Sequence, residues 1–182
     1  MSKKKPDRRI EKTHNSLAFA LFNMMQKQSW NSISIQQLCD EANVARTSFY
    51  THFDSKLELL DFLIAEVFDK QIPSDPPPNA KAYEVFLTWL IDHVTSNRAL
   101  FSRISKEPEA LPVLDRFKIS LEKRLVEALK SDGHLPDETG IAFMMGGTFD
   151  ALLRWSKRWR IAELAQLRAR ILEMVKSIIG AA

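Results

Sequence analysis

One cysteine, Cys39, stands in the whole sequence, which excludes an internal disulfide framework and any zinc site built on several thiolates. Glycine is scarce, at five residues, and three of the eight prolines sit together at Pro76, Pro77 and Pro78. So few turn-formers cannot punctuate the many short strands of a β-sandwich or barrel. No apolar run reaches the roughly 18 residues that a membrane-spanning helix needs. The opening stretch, residues 1–9, is basic and lacks the apolar core of a signal peptide, so the expectation is a cytoplasmic chain with no membrane partner. The short signatures of enzymes are missing as well. There is no Gly-x-x-x-x-Gly-Lys phosphate loop, no Gly-x-Ser-x-Gly nucleophile turn, no His-Glu-x-x-His and no Cys-x-x-Cys. His14, His52, His93 and His134 fall in four different predicted elements, without the spacing that presents two metal ligands from one helix face. No catalysis, metal or cofactor is expected, and Cys39 reads as a packed core thiol.

What is present is the composition of a folding protein: 182 residues, 45% hydrophobic and 27% charged. The net charge of +3 hides an uneven distribution, because residues 1–56 carry a balance of +4, residues 57–110 of −4 and residues 111–182 of +3. A basic end on a differently charged body is a footprint of polyanion binding. The tail Lys3-Lys4-Lys5 and Arg8-Arg9 reads either as a strand-tracking or minor-groove arm or as a solvated terminus.

Apolar spacing gives an all-α fold of about nine helices. Ile10, His14, Leu17, Leu21 and Met24 lie on one face of a first helix, roughly 7–27. Ser29-Trp30-Asn31-Ser32 breaks it, and Ser34-Ile35-Gln36-Gln37 is a capping box opening a second helix. Asn43 tolerates the left-handed conformation that a helix end requires, so the chain should turn sharply there into a third helix, 45–52, packed through Phe49. Ser55-Lys56-Leu57-Glu58 is a second capping box, opening a fourth helix. The proline-rich stretch 72–80 cannot continue a helix and divides an N-terminal domain, 1–71, from a helical body, 81–182. In that body the pattern predicts helices through Tyr83–Val94 positions, around 100–105, through 114–129, over about 136–159 and over about 161–179.

Two short helices joined by a tight turn form a helix-turn-helix, whose second helix can lie in the DNA major groove. Arg46 suits a guanine edge, Thr47 offers a hydroxyl or a methyl, and Tyr50, His52 and Lys56 are placed for phosphates. A plain helical hairpin in an all-α core is the bland alternative for such a stretch. The run 34–56, SIQQLCDEANVARTSFYTHFDSK, closely resembles the DNA-binding domain of TetR-family transcriptional regulators, with Phe49-Tyr50-x-His52-Phe53 followed by Ser55-Lys56 as its specific marker. The resemblance covers about residues 8–68. It implies a homodimer that binds a palindromic double-stranded operator, most often as a repressor, and a C-terminal domain that binds a small-molecule inducer. By motif position, Gln36, Arg46, Thr47, Ser48, Tyr50, His52 and Lys56 match places that contact DNA in such regulators. Asn43 replaces the family's usual turn glycine, Ala45 a frequent capping serine, and Leu57 a common acidic residue.

In the body, Trp89, His93, Phe101, Phe117, Met144 and Phe149 would line an apolar ligand pocket with one polar handle, or equally make a packed core. Gly146-Gly147 in mid-helix would admit a ligand or a neighbouring helix closely. Leu152, Trp155, Trp159, Leu167, Ile171, Met174 and Ile178 on the last two helices provide more apolar surface than one chain needs, and read as a four-helix dimer interface. A helical ligand-binding or scaffold protein that keeps the motif without reading DNA is the alternative from another class.

Overall fold

The structure, a computed structural model, describes residues 8–73, 76–134, 137–158 and 161–180. The tail lysines 3–5 and Trp159 therefore lie outside the described residues. Nine α-helices and no strand occur among the described residues, and the chain divides into two compact units, Met1–Glu66 and Val67–Ala182. The division falls inside the fourth helix, a few residues before the proline-rich stretch, because the end of that helix already contributes Phe68 and Asp69 to the second unit.

In the first unit, α1 (Arg8–Lys27) buries Leu17, Ala18, Ala20, Leu21 and Met25. A 3-10 turn, Trp30–Ser32, leads to α2 (Ile35–Ala42), α3 (Arg46–His52) and the start of α4 (Lys56–Gln71). The small unit closes on Leu17, Leu21, Leu38, Phe49 and Leu59, all essentially without solvent contact.

The second unit is built from α5 (Ala82–Ser96), α6 (Arg98–Ile104), α7 (Leu111–Ser131), α8 (Glu138–Arg158) and α9 (Leu164–Gly180). Each buries the stripe that its spacing predicts, such as Phe86, Leu87, Leu90, Ile91 and Val94 on α5 and Leu121, Leu125 and Leu129 on α7. Helix α5 begins at Lys81 with no local side-chain cap. Its cap comes instead from the end of α7, where the Asp132 carboxylate accepts from the Ala82 and Tyr83 amides at 2.9 and 3.0 Å. A negative charge there also suits the positive end of the helix dipole. Asp132 is presented by the turn that ends α7, in which Gly133 takes φ +76° and His134 N–H donates to the Leu129 carbonyl. Ion pairs from α9 to α5, Arg168 to Asp92 and Lys176 to Glu84, close the outer edge of this bundle.

Candidate nucleic-acid interface

The site begins with two local rules that the chain obeys. Ser34 Oγ accepts from the Gln37 amide at 3.2 Å while Gln37 Oε1 accepts from the Ser34 amide at 3.0 Å, so α2 starts on a complete capping box. Eight residues on, Asn43 adopts φ 52° and ψ 48°, and its amide donates back to the Cys39 and Asp40 carbonyls. That left-handed residue turns the chain at a position where glycine would be expected, and asparagine is among the few side chains able to substitute. Helix α3 then starts at Ala45, which supplies no side-chain cap. With so weak a beginning, seven residues would not hold a helix by themselves. Phe49 holds it: the ring has 0% exposure and contacts those of Tyr50 and Phe53.

Anchoring Phe49 inward puts Arg46, Thr47, Tyr50 and Thr51 on the exposed face, with Ser48 at its half-buried margin. The Arg46 guanidinium lies 5.7 Å from the Tyr50 ring centre, and the neighbouring Tyr50 side chain favours its charged form. Thr51 Oγ1 donates to the Thr47 carbonyl at 3.0 Å, leaving the Thr47 side chain to face outward. Gln36 is exposed on α2, where its Nε2 donates to Asp40 Oδ1 at 2.8 Å and its carbonyl oxygen remains available.

Two of the residues placed for phosphates are occupied otherwise. Lys56 Nζ donates to the Trp30 and Ile33 carbonyls at 2.6 and 2.7 Å and sits 4.2 Å from the Trp30 ring centre. Burial pushes its pKa down, and only one of its three N–H donors is left over. His52, at the end of α3, is half-buried and meets His14 of α1 edge to face at 4.8 Å. His14 also packs against Phe53 and Phe62, and its buried Nε2 has no hydrogen-bond partner. Burial, then the neighbouring His52, lowers the His14 pKa against an opposing pull from Glu66. With its pKa lowered, His14 is neutral packing at neutral pH. Neither Trp30 nor His14 is flagged by the motif. The second capping box is also shifted: Glu58 N–H donates to Ser55 Oγ, but the Glu58 carboxylate reaches the Asp54 amide instead of that of Ser55.

Replacing Lys56 by methionine should cost about 2 kcal/mol, because two carbonyls lose a charged donor. Urea melts and DNA titration at a temperature where the variant stays folded decide its role. A stability loss with affinity kept within about threefold marks a positioning residue. Unchanged stability with about tenfold weaker binding and a shallower salt slope would put the ammonium on a phosphate instead.

Residues 20–62 match the family model described as bacterial regulatory proteins, tetR family. That stretch is similar to the DNA-binding domain of tetR-family regulators. Among curated proteins it is similar to the uncharacterized HTH-type transcriptional regulator YxbF of Bacillus subtilis (strain 168), at 31% identity over 125 residues. The match takes in 63% of this chain and 32% of YxbF, so the chain spans about a third of that relative's length. The fold is shared with a TetR transcriptional regulator from Streptococcus agalactiae 2603V, with TM-score 0.66, 23% identity, and coverage of 93% of this chain and 96% of that one. It is shared too with the dihydroxyacetone kinase operon activator DhaS, with TM-score 0.64, 17% identity, and coverage of 93% and 97%. The matched stretch contains the whole α2–turn–α3 unit, so the TetR-type DNA-binding domain is the element just described.

The second unit brings its predicted pocket residues together. His93 stacks on Trp89 at 4.9 Å and lies 5.8 and 5.9 Å from Phe117 and Phe101, and Phe149 joins at 6.0 Å from Phe117. Met144, Phe101, Phe117 and Phe149 are buried, so these residues form an aromatic cluster around one imidazole. Burial drops the His93 pKa to about 4, keeping it neutral. A cavity of about 250 Å³ opens elsewhere in the unit, among Phe68, Asp69, Val85, Phe86, Arg124 and Glu127. Of the residues expected at a dimer interface, Leu152, Trp155 and Ile171 are buried within their own unit, whereas Leu167 and Ile178 are half-buried and Met174 is 62% exposed. Phe143 adds an outward ring at 71% exposure that the sequence reading did not single out. A Cβ added at Gly146 or Gly147 would meet nothing within 4 Å, so no neighbour among the described residues accounts for either glycine. No described helix is long and apolar enough to cross a membrane, and no described group of three or more His, Cys, Asp or Glu is placed to hold a metal ion.

Proposed function

We propose that this chain is a TetR-family, sequence-specific transcription regulator, working as a homodimer that sets α3 of each copy into successive major grooves of a palindromic operator. The observation that carries the reading is the exposed Arg46, Thr47 and Tyr50 face on a helix fixed from behind by Phe49. Arg46 reads a guanine edge, and Thr47 contacts a neighbouring base. Gln36 and Tyr50 hold the backbone. The homodimer reading is supported by Phe143 and Met174, large apolar side chains exposed on α8 and α9, with Gly147 four residues after Phe143 leaving room for a second backbone. Repression relieved by a small molecule in the second unit fits the neutral His93 among aromatic rings, which offers one donor and one acceptor to an apolar ligand.

Selection of bound sequences from random duplexes, followed by gel shift on the winner, tests this reading. Arg46→Ala should weaken operator binding by about 10- to 100-fold and relax preference at one base pair per half-site. Equal affinity for scrambled DNA, or no effect of Arg46→Ala, would overturn it.

A further inference from the structure

Arg46 is the first residue of α3, and its surroundings give it little to hold. Ala45 before it supplies no polar side chain, and no carboxylate pairs with it among the described residues. The side chain it meets is that of Tyr50, one turn further along the same helix. A long guanidinium side chain loses rotamer freedom when it settles on a base edge, and that loss is subtracted from binding. Thr47, being β-branched, has few rotamers to lose. The need for outside support therefore falls on Arg46. Tyr50 is itself held from behind: its ring stands edge-on to that of Phe49, at 5.4 Å and 86°, and Phe49 is wholly buried. Yet the Tyr50 side chain is 46% exposed, so a face of the ring stays open on the outer side of α3. The Arg46 guanidinium lies 5.7 Å from the centre of that ring, within the range at which a guanidinium and an aromatic face attract. Core packing beneath α3 thus fixes Tyr50, and Tyr50 in turn restrains Arg46. A phosphate contact would use only the tyrosine hydroxyl, so the two roles fall on different atoms of one side chain.

We propose that the Tyr50 ring is the positioning residue for Arg46, keeping its guanidinium ready for a guanine edge and so setting how strongly that base pair is discriminated. The inference rests on the operator reading above. It is tested with the full chain and the duplex recovered by selection, beside duplexes that carry each other base pair at the position where Arg46→Ala loses preference. Wild type, Tyr50→Phe, Tyr50→Leu, Arg46→Ala and the double variant Arg46→Ala/Tyr50→Leu are titrated by fluorescence anisotropy. Preference is a ratio between duplexes for one protein, so any difference in the folded fraction cancels. The wild type should prefer the guanine pair by about 10- to 100-fold. Tyr50→Phe keeps the ring, so its preference should stay within about twofold of the wild type, whether or not the lost hydroxyl weakens all duplexes alike. Tyr50→Leu should lower the preference by about fivefold, and the same change made on top of Arg46→Ala should alter it by less than about twofold. Undiminished preference in Tyr50→Leu, an equal fall in Tyr50→Phe, or the same loss with and without Arg46 would each overturn the proposal and leave the operator reading standing. The operator reading fails by a different result, equal affinity of the wild type for the selected and scrambled duplexes, and this proposal then falls with it.

Discussion

Phe49→Ala is expected to cost the N-terminal unit about 3–5 kcal/mol, the usual loss for emptying a fully buried aromatic site. A compact body of this size has a total stability of only about 3–9 kcal/mol at typical per-residue values, so the variant should be largely unfolded in that unit near body temperature. Loss of helical circular dichroism should then be partial, because the second unit has its own core around Leu90, Ile91, Leu121 and Leu125. DNA binding should vanish with the first unit's transition and not with the second's. Phe49→Leu keeps most of the volume and should cost less than about 1.5 kcal/mol. The comparison separates lost packing from lost contact: Phe49 is buried and touches no ligand, so if Phe49→Ala melted like the wild type yet bound DNA poorly, its assignment as anchor would be wrong.

The second large effect is a pH dependence centred on the other unit. His93 has its pKa pulled from 6.5 to about 4 by burial among Trp89, Phe101 and Phe117, so the folded unit binds fewer protons than the unfolded chain between those values. Stability is therefore full above pH 6.5 and falls as the solution is acidified through that window, by about 3 kcal/mol on reaching pH 4. His93→Phe should remove that slope while keeping the ring stack. The check is a set of urea melts from pH 7.5 down to 4, read as the difference between wild type and variant, so that carboxylates and His14 cancel. Parallel stability curves would show that His93 is already protonated or solvent-bound in the folded unit.

The elements that sequence made legible were those governed by rules spanning one or two helical turns. Ser34 and Gln37 form their box because three residues separate them, and Asn43 takes the left-handed turn because its own backbone tolerates it. The inward Phe49 and the outward Arg46, Thr47 and Tyr50 follow from the helical period once those two signals fix the start and stop. What stayed hidden joins positions far apart in the chain. Nothing in the local pattern of Trp30 announces that Lys56 will lie on its ring and bond its carbonyl, and the motif points that lysine outward. His14 and His52 meet for the same reason, across the intervening helix α2. Asp132 looks like an ordinary turn residue until it caps a helix that begins fifty residues earlier. On α8 and α9 the apolar spacing did not tell which of the apolar residues their own chain covers. Leu152 and Ile171 turned inward while Phe143 and Met174 did not.

The ammonium of Lys56 has a consequence for how the recognition helix moves. By bonding the carbonyls of Trp30 and Ile33, it joins the residues just before α2 to the residue that opens α4, and so makes a non-covalent ring enclosing α2, the Asn43 turn and α3. A segment tied at both ends cannot peel away as a free hairpin; it can leave only if the ring opens and the Phe49 core goes with it. Helix α3, short and poorly capped as it is, thus has little freedom of its own to surrender when it meets a rigid partner, and the entropy of ordering it has been met already in the folding of the unit.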